Sequence, residues 1–290
     1  PTITGMWLAD TIGYIRISDF GMTTGTDLKK ELEKMKTGGL ETLILDLRNN
    51  PGGYLHTVRE IASQFIPEGV LIHTKDRNGI SDTYEIKNGK KPSFSTIVLV
   101  NGYSASGSEV LAGALQDYKA ATVIGTKTFG KGSVQSFIPL SNGDVMKITV
   151  QEYLTPKKRQ VNNVGITPDK IVEGEVPQLL EAMRMAGFTD IELKLNEHFA
   201  VINGQEFRTL YPLVRENGKV YISSRILASL LDATIEWDPK TKQVTITKGG
   251  RTFRYDSSTP GVLFRQGASF IEIGKFAEIF PQLDWEQNGD

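Results

Sequence analysis

Three short apolar runs, residues 43–47, 96–100 and 121–124, each stop at a cluster of small or turn-forming residues, with helix-like stretches lying between them. Runs of four or five residues that are apolar but for one polar residue each, here Asp46, Thr96 and Thr122, read as strands buried on both faces, and such strands belong to sheets covered by helices. The intervening segments fit that requirement. Residues 27–35 carry Leu28, Leu32 and Met35 at helical spacing, 57–65 is amphipathic, and 108–115 is rich in Ala and Leu. With the β-formers of 11–17 ahead of them, the order is β-α-β-α-β-α-β, which predicts a layered α/β core. From Ser133 the pattern turns mainly extended, broken at Ser141-Asn142-Gly143 and at Pro156, and a helix follows over 178–185.

A chain of 290 residues exceeds most single cores and fits one large and one small domain. Residues 187–190 form a plausible boundary, giving domains at 1–190 and 191–290. The second contains a weak internal repeat. Tyr221-Ile222, Leu227-Ala228, Leu230-Leu231 and Trp237-Asp238 are echoed by Phe270-Ile271, Phe276-Ala277, Ile279-Phe280 and Trp285-Glu286, at an offset of 49 that closes to 48 at the tryptophans. Two related α+β units are expected, with Trp237 and Trp285 in equivalent positions.

Composition removes several functions. The formal net charge is -1 and the basic residues are scattered. The longest cluster, Lys157-Lys158-Arg159, is a solvated loop and not a nucleic-acid patch. No cysteine is present, so a thiol nucleophile, a disulfide framework and cysteine-ligated zinc are excluded. His56, His73 and His198 are isolated, which disfavours both a Ser-His-Asp site and a metal hydrolase. No apolar run is long enough to span a bilayer. The chain starts at Pro1 without a methionine or a signal-like stretch, so its beginning reads as cut.

Three segments can carry chemistry. Asn101-Gly102-Tyr103-Ser104-Ala105-Ser106-Gly107-Ser108-Glu109 joins a strand to a helix, where a serine on a tight turn faces backbone amides. Ser104, Ser106 and Ser108 compete for that role, and Ser108 could equally be a helix cap. Gly125-Thr126-Lys127-Thr128-Phe129-Gly130-Lys131-Gly132-Ser133 nearly matches a phosphate-binding loop, but β-rich sequence follows where that motif needs a helix. In extended chain Lys131, Ser133 and Gln135 share a face, so a lysine base and an orienting amide can converge if burial disfavours the charged amine. Without that, Lys131 is an ordinary solvated lysine. Leu45-Asp46-Leu47-Arg48-Asn49-Asn50-Pro51-Gly52-Gly53 is strand then turn, and its paired glycines allow close backbone approach to a substrate.

Together these blocks, with Ile12-Gly13-Tyr14-Ile15-Arg16-Ile17, Ala112-Gly113-Ala114 and Gly165-Ile166-Thr167-Pro168-Asp169, resemble the carboxy-terminal processing peptidases of family S41. The resemblance runs over about 11–172 and implies a ClpP/crotonase-like α/β core with a second, smaller α+β domain. It puts the nucleophile at Ser106, the base at Lys131 and a supporting amide at Gln135. The implied oxyanion donors are the amide of Gly107, where the family usually has alanine, and a glycine of the turn, Gly52 in preference to Gly53. No cofactor and no metal are implied. The partners implied are protein or peptide substrates cleaved near their C-termini, and not nucleic acid. The PDZ domain that normally precedes the Ile12 block has no counterpart here. From about Ile191 the chain resembles the copper amine oxidase N-terminal domain of exported Gram-positive proteins, which suggests an extracytoplasmic setting with envelope association or homo-oligomer formation. Two rival readings are a non-catalytic peptide- or ligand-binding module on this fold, and acyl-CoA chemistry on a crotonase-like fold.

Overall fold

The computed structural model describes residues 1–188, 190–209 and 212–287. The chain divides into two compact units, Pro1–Val172 and Glu173–Asp290.

The first unit runs β1 (Ile3–Ala9), β2 (Ile12–Ile17), α1 (Thr24–Thr37), β3 (Thr42–Asp46), α2 (Leu55–Ala62), β4 (Gly69–Asp76), β5 (Gly79–Ile86), β6 (Ser95–Val100), α3 (Gly107–Asp117), β7 (Thr122–Gly125), β8 (Ser133–Pro139), β9 (Val145–Leu154) and β10 (Lys170–Ile171). A six-stranded sheet has the order β1-β2-β3-β6-β7-β10. Only the β1–β2 pair is antiparallel; β2–β3, β3–β6, β6–β7 and β7–β10 are parallel. The apolar runs thus occupy the middle of the sheet, and every residue of β3 is buried. Leu28, Leu32 and Met35 of α1, Val58 and Ile61 of α2, and Leu111 and Leu115 of α3 complete one core with Ile15, Leu43, Leu45 and Val98. A second, antiparallel sheet of order β5-β4-β9-β8 leaves β8 at an edge.

Parallel strands bring their carboxyl ends to one side of a sheet, where binding sites form in open α/β folds. Here the ends of β3, β6 and β7 lead into residues 47–53, 101–106 and 126–132, the three segments with chemical potential. The turn after β3 is anchored from below. Asp46, 1 % exposed, accepts from the Tyr14 hydroxyl at 2.7 Å and from Arg48 Nη2 at 2.6 Å. Burial alone would raise the Asp46 pKa, but the Arg48 charge and the hydrogen bonds outweigh it and hold the carboxyl below its ordinary value. The stability gained is therefore present above the ordinary aspartate range and is lost as pH falls through the depressed folded-state value. Asp46→Asn removes the carboxylate from a buried cation and should cost roughly 3–5 kcal/mol in urea unfolding at pH 7. The difference from wild type should shrink in acid, and a loss below about 1 kcal/mol would show that the pair does not hold the turn.

The second unit consists of α4 (Glu175–Met185), β11 (Leu193–Leu195), β12 (Phe199–Ile202), β13 (Gln205–Arg208), β14 (Leu213–Glu216), β15 (Lys219–Ser223), α5 (Ser224–Leu230), β16 (Thr234–Asp238), β17 (Gln243–Lys248), β18 (Arg251–Tyr255), β19 (Val262–Arg265), β20 (Ala268–Glu272) and α6 (Ile273–Ile279). Its sheets are β11-β12-β13, β14-β15-β20-β19 and β16-β17-β18. The boundary lies earlier than the turn at 187–190 suggests. Helix α4 packs on α5, and the Arg184 guanidinium donates to the Ser229 carbonyl, so α4 and that turn belong to this unit. Thr189, inside the expected boundary, lies outside the described residues.

The repeat is real over its first three elements. β14-β15-α5 and β19-β20-α6 match with a constant offset, and β15 and β20 pair antiparallel so that Ile222 faces Ile271, its own counterpart. Flanking pairs Tyr221–Glu272 and Ser223–Phe270 exchange accordingly, which makes the unit pseudo-two-fold about that pair. The equivalence stops before the tryptophans. Trp237 lies in β16, paired with β17 and 6.4 Å from the Phe264 ring. Trp285 lies in an irregular segment near Gly274. The first copy of the repeat continues into the β16–β17–β18 meander, whereas 283–287 pairs with no strand among the described residues, so the shared motif does not impose a shared setting.

Candidate active site

The three competing serines separate by what their hydroxyls do. Ser104 is buried and donates to the Leu47 carbonyl at 2.8 Å while accepting the Asn101 amide at 3.0 Å. Ser108 is buried and donates to the Asn50 carbonyl at 2.9 Å. Both tie the β6–α3 turn to the β3 turn and are spent in doing so. Ser106 is partly exposed and stands at the N-cap of α3 with φ 51° and ψ -111°. A non-glycine residue there is strained, and such strain persists where the surroundings enforce it. They do: the Ser106 amide donates to Glu109 Oε2 at 2.9 Å, and the Ala105 amide to the Asn50 carbonyl at 3.0 Å.

Gly107 follows as the first helical residue, whose N–H has no intrahelical acceptor and points with the positive end of the helix. Gly52 lies against it. A Cβ on Gly52 would come within 2.8 Å of Ser106 Cβ and 2.9 Å of the Gly107 nitrogen, and φ is 113° besides, so only glycine fits. The Gly52 amide itself, however, donates to Asn50 Oδ1 at 2.9 Å in an Asx turn. The Gly53 amide has no acceptor among the described residues, and Gly53 is exposed. Of the two turn glycines, Gly52 thus supplies close approach with its N–H committed to Asn50, and Gly53 has the open N–H. Asn50 organises the turn, its Nδ2 donating to the Ile17 carbonyl at 2.9 Å.

Lys131 sits on the loop between β7 and β8, and its backbone is fixed. Its amide donates to Glu109 Oε2 at 2.8 Å, and its carbonyl accepts from the Tyr153 hydroxyl at 2.8 Å. The side chain is exposed, as is that of Gln135 on β8. Among the described residues the Lys131 amine forms no ion pair and no hydrogen bond to Ser106 or Gln135. The expectation that Lys131 is buried beside them does not hold here, because β8 is an edge strand and nothing described covers that face. No carboxylate among the described residues pairs with the amine either. After Gly132 the chain enters β8, so the helix required by a phosphate loop is not there. The two ring nitrogens of His73 lie 3.0 Å from Thr83 Oγ1 and 3.3 Å from the Pro156 carbonyl, and the described residues contain no cluster of three metal-ligating side chains.

The sequence reading missed Glu109 and Tyr153. For Glu109 there was a signal: Ser106-x-x-Glu109 has capping-box spacing. For Tyr153, inside a long strand, there was none.

The model of peptidase family S41 matches residues 11–172, which contain all of these groups. The chain belongs to peptidase family S41. The carboxyl-terminal-processing protease of Synechocystis sp. is 40% identical over 163 residues, 56% of this chain and 38% of that protein. The carboxy-terminal processing protease CtpB of Bacillus subtilis is 37% identical over 159 residues, 54% of this chain and 33% of that one. The chain therefore spans well under half the length of these S41 relatives. The photosystem II D1 C-terminal processing protease aligns in structure with a TM-score of 0.56 and 35% identity, over 61% of this chain and 47% of that one. The fold is accordingly an α/β S41 peptidase core followed by a smaller, sheet-rich unit. That unit matches the copper amine oxidase N-terminal domain in two overlapping stretches, 184–246 and 201–262.

Proposed function

We propose that this chain carries a serine endopeptidase site that cleaves protein substrates near their C-termini, with Ser106 as nucleophile and Lys131 as base. The observation that carries the reading is the Ser106 turn. Of the three serines only Ser106 has an accessible hydroxyl that donates to no carbonyl, on a strained residue at a helix start, next to the Gly107 amide that opens the helix. In the reaction Ser106 Oγ attacks the scissile carbonyl and passes its proton to the neutral Lys131 amine. Lys131 returns that proton to the leaving amine, and the amides of Gly107 and Gly53 hold the oxyanion. Gln135 orients the amine. Because Lys131 and Gln135 are exposed, the substrate must complete the site: an extended peptide added along edge strand β8 would exclude water from the amine.

The names of the S41 relatives support C-terminal processing, and the S41 match disfavours the acyl-CoA and pure binding readings. The same proposal puts the enzyme outside the cytoplasm, with the second unit, matched to the copper amine oxidase N-terminal domain, attaching it to the envelope or to a second copy. Among the described residues no helix is long and apolar enough to cross a membrane.

The test is to incubate the full chain with an unstructured polypeptide and, separately, with an acyl-CoA thioester, with and without a chelator. We expect peptide products truncated near the C-terminus, unchanged by the chelator, and an intact thioester. Thioester hydrolysis with an intact polypeptide would overturn the reading.

A further inference from the structure

The geometry points to Glu109 and Tyr153 as a paired clamp that positions Ser106 and Lys131 relative to each other through their backbones. This rests on the peptidase reading above and adds two positioning residues to it. Glu109 is fully buried and accepts four donors. Oε2 takes the amides of Ser106 at 2.9 Å and Lys131 at 2.8 Å; Oε1 takes Thr128 Oγ1 at 2.6 Å and the Gly130 amide at 2.7 Å. One carboxylate oxygen therefore fixes the N–H of both the nucleophile and the base. Tyr153 fixes the opposite ends of the same residues. Its hydroxyl lies 3.1 Å from the Ser106 carbonyl and 2.8 Å from that of Lys131, one hydrogen shared between two acceptors.

All four backbone groups of Ser106 and Lys131 thus meet these two buried side chains, the Ser106 carbonyl also accepting the Glu109 and Val110 amides of α3, each at 2.9 Å. Burial, and after it the Glu109 charge, raise the Tyr153 pKa well above its ordinary value, so the phenol stays a donor. Thr128 is held as a donor to Glu109 because its oxygen also accepts the Ile166 amide at 2.6 Å. The arrangement matters because the Lys131 side chain has no anchor of its own. The distance its amine must close is set by where its backbone stands, and an error of about 1 Å costs about a hundredfold in rate.

Tyr153→Phe removes one oxygen, and Glu109→Gln puts an amide donor where only donors converge. The full chain carrying each change is compared with wild type and Ser106→Ala by backbone hydrogen exchange, peptide-cleavage kinetics and thermal unfolding. We expect faster exchange at Ser106 and Lys131 together in both variants, with kcat down about tenfold in Tyr153→Phe and about a hundredfold in Glu109→Gln, and KM within about twofold. In a Lys131→Ala background, Tyr153→Phe should cause no further loss, because it acts through Lys131. Should Glu109→Gln fail to fold, Tyr153→Phe decides the matter alone. Unchanged exchange, exchange rising at only one of the two amides, an unchanged kcat, or an additive loss with Lys131→Ala would each overturn the clamp. Cleavage by Ser106→Ala would instead strike at the peptidase reading, and the exchange data would still report on the clamp.

Discussion

Ser106→Ala will abolish peptide cleavage, by roughly 10⁵-fold or more, while the protein unfolds at nearly the wild-type midpoint. The hydroxyl is partly exposed and its structural part is confined to the α3 capping box, so its loss removes the chemistry and about 1 kcal/mol of stability. The flanking serines should show the reverse. Ser104→Ala and Ser108→Ala each remove a buried hydrogen bond to a carbonyl, at Leu47 and Asn50, and should cost about 1–3 kcal/mol of stability. Their turnover should stay within about tenfold of wild type at temperatures where they are folded. Urea unfolding beside initial-rate assays on the three variants separates the roles. Wild-type activity in Ser106→Ala, with loss in either neighbour, would move the nucleophile.

Lys131→Arg will be nearly as damaging as Lys131→Ala, each by about 10³-fold or more. A guanidinium carries the same charge on a longer side chain but does not deprotonate in proteins, so it cannot take the Ser106 proton. If Lys131 instead served as a fixed positive charge beside the oxyanion, arginine would largely replace it. The exposed amine makes this comparison clean, because neither change disturbs a buried contact or an ion pair among the described residues. Gln135→Ala should cost less, about tenfold, since an exposed amide orients the amine without exchanging protons with substrate. Initial rates for the three variants at saturating peptide measure the differences, and an active Lys131→Arg protein would remove the lysine as base.

Strands 43–47, 96–100 and 121–124 were legible because burial on both faces leaves apolar residues no alternative, and the helices between them followed from spacing. β1 and the β4–β5 hairpin were not. β5 is exposed along nearly its whole length and is held by pairing with β4, so no core periodicity marks it. The choice among the three serines was also beyond local reading, since the acceptors that commit Ser104 and Ser108 lie 57 and 58 residues away in sequence. Residues Lys131, Ser133 and Gln135 could be placed on one face by alternation, but alternation cannot say what covers a face, and here nothing described does. The commitment of the Gly52 amide is local: the asparagine two residues earlier takes it, a competition that Asn50-Pro51-Gly52 could have signalled.

The central claim is covalent catalysis at Ser106, and the direct measurement is to trap the acyl-enzyme. The full chain, mixed with a peptide ester and quenched in acid within one turnover, is digested and mapped by mass spectrometry. The account predicts that the acyl mass appears on the peptide containing Ser106, is fixed to that residue by fragmentation, and is absent from Ser106→Ala. Turnover of the ester with no acylated peptide, or the acyl group on Ser104, Ser108 or Lys131, would contradict it.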